Sequence, residues 1–239
     1  MLDRPEPTRD GADRLREAST EYLAARGFIH ADWLPLSDAA FALRPIDEIA
    51  GRLMALNLVF LWVSAPEEVA PTAAFWPYIE TNRLQSLLSD EERGIIAIDR
   101  PDAQGQFGES IGWRLENMWP LAWILGFPEE PPITAGMIDD DRIRAIVLGQ
   151  LDGLGRSREA VAASSVIRSE AEVIALEDRF YCTHNAVRSA QFPTGGESLP
   201  TVPAGFDPAI DGGCIHARRH SLTWAVSPGV AWDQTDLST

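Results

Sequence analysis

The segment from Ile111 to Phe127 is apolar on nearly every face a helix would present, with Trp113, Leu115, Met118, Trp119, Trp123 and Leu125, yet it also carries Arg114 and Glu116. A helix that is hydrophobic all round belongs in the middle of a domain. A charge in such a place costs several kcal/mol unless it is paired and hydrogen-bonded. The segment therefore constrains the fold twice. Other elements must surround it, and they must bring polar partners to Arg114 and Glu116. Pro120, inside the same helix, has no N–H, which leaves the Glu116 carbonyl without its helical donor and predicts a kink.

The surrounding elements read as helices. Ile46, Ile49, Leu53, Leu56, Phe60 and Val63 recur at spacings of three and four, which predicts a helix from Pro45 to Val63. Further helices are expected over Arg9–Arg26 (stopped by Gly27), Phe75–Leu88, Asp140–Leu151, Ser157–Ala190 and Asp211–Ala225, with a fresh N-cap at Ser89 before three acids. Arg100–Gly108, rich in Gly and Gln, reads as a loop. Strand patterns are confined to weak candidates at Phe28–Leu34 and Gly94–Ile98, and no internal repeat occurs. The expected class is all-α: a single helical domain around a buried Trp-rich helix, with few or no strands. Residues 1–44 read as an N-terminal helix plus an irregular segment, and 45–239 as the main helical domain.

The counter-charges can be sought the same way. On the expected long helix, Val166, Val173, Phe180 and Val187 form one stripe, and Glu170, Glu177 and His184 lie on it seven apart. Asp178 and Arg188 accompany them, and Arg218 lies one turn from Leu222 on the last helix. The prediction is a buried polar cluster drawn from Arg114, Glu116, Glu177, Asp178, His184, Arg188 and Arg218. Arg114 or Arg218 should meet Glu116, Glu177 or Asp178, with His184 nearby. Such a cluster either fixes helix register or serves as an acid/base site.

Composition narrows the chemistry. All 20 basic residues of the 239 are arginine, so a lysine Schiff base and a phosphate-loop lysine are excluded. The net charge is −16 and no basic block occurs, which disfavours nucleic acid and anionic membrane surfaces. Cys182 and Cys214 are too few for a disulfide scaffold. The start of the chain lacks an apolar signal core, and the longest apolar run, Leu53–Val63, is too short to span a bilayer, so the cytoplasm is expected.

The remaining motifs favour bland readings. Gly108-Glu109-Ser110-Ile111-Gly112 fits the nucleophile-elbow pattern, but no strand precedes it, so Ser110 is expected to cap a helix. His216 and His220 are four apart, but Ala217 stands where a zinc-protease helix needs Glu. Cys182-x-His184 and Cys214-x-His216 lack zinc spacing, so no metal and no cofactor is expected. Asp139-Asp140-Asp141 reads as a helix N-terminus.

Trp113-Arg114-Leu115-Glu116 followed by Leu121-Ala122-Trp123-Ile124-Leu125-Gly126-Phe127 resembles a segment of the bacterial family of unknown function known as DUF4272. Ile46-Asp47-Glu48-Ile49 with Arg52, Leu88-Ser89-Asp90-Glu91-Glu92-Arg93, Asp178…Tyr181…His184…Arg188, Arg218 with Leu222 and Trp224, and Trp232-Asp233 fit the same family in order. The resemblance spans Pro45 to Thr239, leaving the first helix outside it. Cys182, Asn185, Ala217 and Ser238 depart from the family pattern. The resemblance implies a helical domain and no established activity. The expected function is a non-catalytic cytoplasmic interaction or binding module with a protein or small-molecule partner. The rival is a small-molecule enzyme of the hydrolase type, using Glu116, Glu177, Asp178 and His184 as acid/base groups. Side chains lining an open cleft would favour the rival; sealed, mutually paired ones would favour the module.

Overall fold

The computed structural model describes residues 9–36, 41–163, 166–192 and 201–239. Among them it contains ten α-helices and no strand: α1 (Arg9–Ala24), α2 (Ile46–Ser64), α3 (Thr72–Asn82), α4 (Asp90–Ala97), α5 (Arg100–Phe107), α6 (Trp113–Ile124), α7 (Asp140–Arg144), α8 (Arg158–Ala162), α9 (Glu170–Gln191) and α10 (Asp211–Ala225). A π-helical stretch, Ala145–Gln150, continues α7.

The principal contacts run in series from α2 through α6, α10 and α9 to α1. The apolar segment lies inside, as its sequence demands: Met118, Trp119, Leu121, Ala122, Trp123 and Ile124 of α6 are all buried. Its neighbour α10 comes very close. A Cβ on Gly213 would lie 2.6 Å from the Trp113 ring, and one on Gly212 would lie 2.8 Å from Val187 of α9. Two glycines at the start of α10 thus let it nest between α6 and α9. Leu23 of α1 is fully buried in the same core, so the N-terminal helix packs onto the bundle.

Several elements differ from the sequence reading. The helix expected over Ser157–Ala190 is two helices, α8 and α9. The second starts afresh at Ser169, whose hydroxyl accepts from Glu172 N–H while the Glu172 carboxylate accepts from Ser169 N–H. Val166 therefore lies outside the stripe and is exposed. Arg100–Gly108 is helix α5 and not a loop. Gly94–Ile98 falls in and just after α4, and Phe28–Leu34 is irregular. The expected Phe75–Leu88 helix runs Thr72–Asn82, followed by a 3-10 turn at Gln85–Leu87. Ser110 does not cap α6; its hydroxyl donates to the Phe107 carbonyl and it is exposed. Ser89 does cap α4, with a full capping box, and Asp139 caps α7. Trp113 is 41 % exposed, so that face of the central helix reaches the surface. α6 continues through Pro120, and in the turn before it the Ser221 hydroxyl donates to the Asn117 carbonyl.

Candidate ligand-binding site

Of the charges expected to converge, Glu116, Glu177, Asp178, His184 and Arg218 are buried, Arg114 is partly exposed and Arg188 is exposed, and they resolve into three stations. The first lies between α6 and α10. Arg218 Nε donates to Glu116 Oε2 at 2.7 Å, and both side chains are fully buried. The other Glu116 oxygen accepts from Ile138 N–H at 2.6 Å. The two terminal nitrogens of Arg218 donate to the carbonyls of Pro132 and Gly136. Every polar group of this pair is thus spent on pinning the irregular 128–138 segment onto the bundle. The arrangement is a sealed structural clamp.

The second station takes Arg114, which does not pair with Glu116. Two residues apart on a helix, they point in different directions. Arg114 instead donates to Glu91 and Glu92. Glu92 is fully buried and also meets both terminal nitrogens of Arg52 on α2, at 2.7 Å each. The two guanidiniums outweigh the effect of burial and hold the Glu92 carboxyl below its ordinary pKa. Arg52 stacks over the Trp232 ring at 3.9 Å. This station locks α2, α4 and α6 together.

The third station lies where α9 faces α10 and α1. Asp178 is bound by Arg16 of α1, whose Nη2 lies 2.7 Å from Oδ1. The same guanidinium donates to the carbonyls of Leu34 and Pro35, so one arginine secures both α1 and the irregular segment after it. Glu177, one residue earlier, turns the other way. Its Oε1 accepts from the Thr223 hydroxyl at 2.9 Å. Burial pushes the Glu177 carboxyl up to about 7, with Asp178 adding and Arg219, Thr223 and Arg16 opposing.

Arg219 itself donates from Nη1 to His184 Nδ1 at 2.7 Å and to the Leu237 carbonyl, and from Nη2 to the Ser238 carbonyl. Because arginine only donates, His184 must accept at Nδ1 and carry its proton on Nε2. That proton points to His216 Nδ1, 3.2 Å away. Burial first, and the Arg219 charge second, hold His184 neutral, with its pKa pushed down to about 3. Arg188 is exposed, bonded to Gln191, and adds only to the positive field on this histidine pair. Glu170 lies in the first turn of α9, where it accepts from Leu43 N–H. No group of three potential metal ligands occurs among the described residues.

A pocket of about 310 Å³ opens directly over the third station. Glu177 and Tyr181 of α9 and Arg219 and Thr223 of α10 form its floor; Leu36, Phe41, Val230 and the 234–238 segment form its walls. Arg44 shapes this rim by donating to the carbonyls of Trp224, Ser227 and Val230 at the end of α10. Six arginines of the described residues are buried: 16, 44, 52, 100, 218 and 219. Five have a carboxylate within ion-pairing distance: Asp178, Glu48, Glu92, Glu67 and Glu116 respectively. Arg219, 2 % exposed, is the one without, and its buried Nε–H has no hydrogen-bond partner among the described residues. Sequence reasoning named Glu177, Asp178 and His184 but missed Arg219, Thr223, Arg16 and Arg52. The available signal was spacing: Arg219 and Thr223 are four apart and share a helix face.

Residues 15–235 match the family described as Domain of unknown function (DUF4272). The chain belongs to this family. The DUF4272 match begins inside α1, earlier than the Pro45 start suggested by the motifs, so the Arg16–Asp178 anchor lies within the family's span. No curated protein and no solved structure matches the chain.

Proposed function

We propose that this DUF4272 protein is a binding module for a small molecule, held in the pocket between α9, α10 and the 234–238 segment. The observation that carries this reading is Arg219, a buried guanidinium that lines an open pocket and has no ion-pair partner among the described residues, where the other five buried arginines are paired. A buried charge whose counter-ions stand beyond ion-pairing distance is costly, and a ligand that touches it lowers that cost. Glu116 and Glu92 are fully buried and each is in direct contact with an arginine, which supports assigning those residues to structure and the third station to function.

The reading is tested with ligand-observed NMR on a set of small aromatic compounds, with and without a carboxylate. The control is Val230→Trp, which fills the mouth from a partly exposed wall position. Fragments should bind the parent protein and lose binding in V230W. Absence of binding, or binding indifferent to V230W, refutes the pocket.

One observation favours the enzyme reading as an alternative. A carboxyl pushed up to about 7 by burial and lining a pocket suits general acid/base work near neutral pH. Turnover of small ester or amide substrates that disappears in Glu177→Gln would select it. The −16 charge supports a protein that does not bind nucleic acid, and its two free, buried cysteines suit a cytoplasmic location. No helix among the described residues is long and apolar enough to cross a membrane.

A further inference from the structure

We propose that the pocket takes a small organic monocarboxylate on Arg219, and that Glu177 gains one proton from solvent as the ligand seats. This rests on the pocket reading above and specifies its ligand.

The chemistry follows from what Arg219 lacks. Of its five N–H donors, Nη1 gives two to His184 and Leu237 and Nη2 gives one to Ser238, which leaves Nε–H and one Nη2–H without a partner among the described residues. A carboxylate matches a guanidinium that has donors to spare and no touching counter-ion. A dianion such as a phosphate monoester does not suit the site, because Glu177 and Asp236 already stand around the same guanidinium. The remainder of the ligand is hydrocarbon in character: Leu36, Phe41, Val230 and the Tyr181 ring supply an apolar wall, and the volume suits an aromatic or branched acid of modest size.

The proton follows from crowding. Glu177 and Arg219 line one pocket and attract one another, yet make no ion pair within 4.0 Å among the described residues. Before binding, an ionised Glu177 balances Arg219 at a distance. A ligand carboxylate that takes over this balance leaves Glu177 as a second anion in a desolvated site, and like charges so placed cannot both stay ionised. The carboxyl then takes a proton, so the Arg219–Glu177 pair before binding and the Arg219–ligand pair after it each sum to zero, while Asp236, held below its ordinary pKa by its Ser238 contacts, stays ionised in both states. The groups facing Glu177 are Arg219 and Thr223 from α10, Asp178 and Tyr181 from α9, Arg16 from α1 and Asp236 from the 234–238 segment. Asp178 and Arg16 neutralise one another. Arg219 keeps its charge throughout, and Tyr181 is held neutral by a pKa raised through burial. Burial has already brought Glu177 close to neutrality, at about 7, so the step falls in an accessible pH range.

Benzoate is the probe, with benzamide as its neutral twin, titrated calorimetrically into the full chain at pH 6 and pH 8 in two buffers of different ionisation heat. Benzoate should bind about tenfold more tightly at pH 6 than at pH 8, with close to one proton taken up per ligand at pH 8. Glu177→Gln should bind benzoate with the same affinity at both pH values, and Arg219→Met should not bind it. Because Arg219 also holds His184 and residues 237–238, loss of folding in R219M would leave E177Q as the deciding variant. Benzoate binding without proton uptake overturns the proposal, as does a pH dependence that survives in E177Q. Benzamide binding as tightly as benzoate, with loss in V230W, overturns the anion assignment while the pocket stands. Binding of neither compound overturns the anion assignment; if other fragments also fail, the pocket falls with it.

Discussion

Arg218→Met removes one partner of the sealed clamp between α6 and α10, and its consequences can be worked from the geometry. The side chain is fully buried and makes three hydrogen bonds: to Glu116, to the Pro132 carbonyl and to the Gly136 carbonyl. Methionine fills much of the same space but supplies none of these donors. Glu116 is left buried with only the Ile138 N–H, and breaking a buried pair from one side costs about 3–5 kcal/mol. At this chain length each kcal/mol moves the thermal midpoint by roughly 2–4 °C. The expected drop is therefore about 6–20 °C, read by differential scanning calorimetry. Glu116→Gln fails for a different reason. Both carboxylate oxygens face donors, Arg218 Nε–H and Ile138 N–H, so the amide NH2 of glutamine must point at one of them. The double variant R218M/E116Q should cost at least about 1 kcal/mol less than the sum of the singles, since each change removes the other's reason to be costly. Arg114→Met combined with E116Q should be close to additive, because Arg114 belongs to Glu91 and Glu92. Additive costs for Glu116 and Arg218, or an R218M cost below about 1 kcal/mol, would refute the clamp.

Arg16→Met should free α1 from α9, and hydrogen exchange should show faster exchange confined first to residues 9–24, because Arg16 is the tie to Asp178, Leu34 and Pro35. Arg52→Met should destabilise more than Arg114→Met in chemical denaturation, since Arg52 gives Glu92 two short bonds and Arg114 gives it one longer bond of 3.1 Å. Glu177 carries a folded pKa of about 7 against an ordinary 4.5, so the folded state holds the extra proton in that window. The Glu177 contribution to unfolding free energy should therefore fall as pH rises from about 4.5 to 7, by about 3 kcal/mol in total, read as the difference between the parent protein and E177Q. His184 and His220 are depressed to about 3 and about 4, so in acid the unfolded chain binds their protons. These two groups outweigh Glu177, so the net stability should fall as pH drops below about 6.5, and more steeply in E177Q than in the parent.

The helical class was legible because periodicity and burial agree over long stretches, as in α2, where residues 49–59 are all buried. Where they separate, the reading failed. Helix α5 buries little except Ala103 and Arg100, so it has no apolar stripe to find. Its hold on the bundle is polar: Arg100 donates to the carbonyls of Leu61, Trp62 and Ala65, the last turn of α2 and the residue after it. The break between α8 and α9 was written in the sequence as Ser169 with Glu172 three residues on, but the continuing valine spacing outweighed it. Trp113 looked like core because tryptophan usually is; it instead lies over Gly213, one face in contact and the other in solvent. Of the misplaced charges, Glu116, Glu177, Asp178, His184 and Arg218 are buried but in separate stations, while Arg114 and Arg188 reach solvent. Arg52 and Glu92 stand out in the sequence only as family motifs, because nothing in their spacing places them beside α6.

Arg219 was also missed, and its position shows why that residue is the functional candidate. α10 lies between α6 and α9, and neighbouring residues on a helix diverge by about 100°. Arg218 and Arg219 must therefore serve opposite sides of the helix. Arg218 finds Glu116 on α6. Its neighbour faces α9, where two carboxylates stand side by side at Glu177 and Asp178. Asp178 is claimed by Arg16, whose three contacts to it fix its direction away from α10. Glu177 points the right way but is engaged by Thr223. A fold selected only for stability gains from closing the remaining gap, since a charge already desolvated recovers most when its partner touches it. Among the described residues the gap is left open, guanidinium donors are unspent, and both side chains line an accessible pocket instead of packed core. Stability alone gives no reason to keep that combination, and the binding of an anion does.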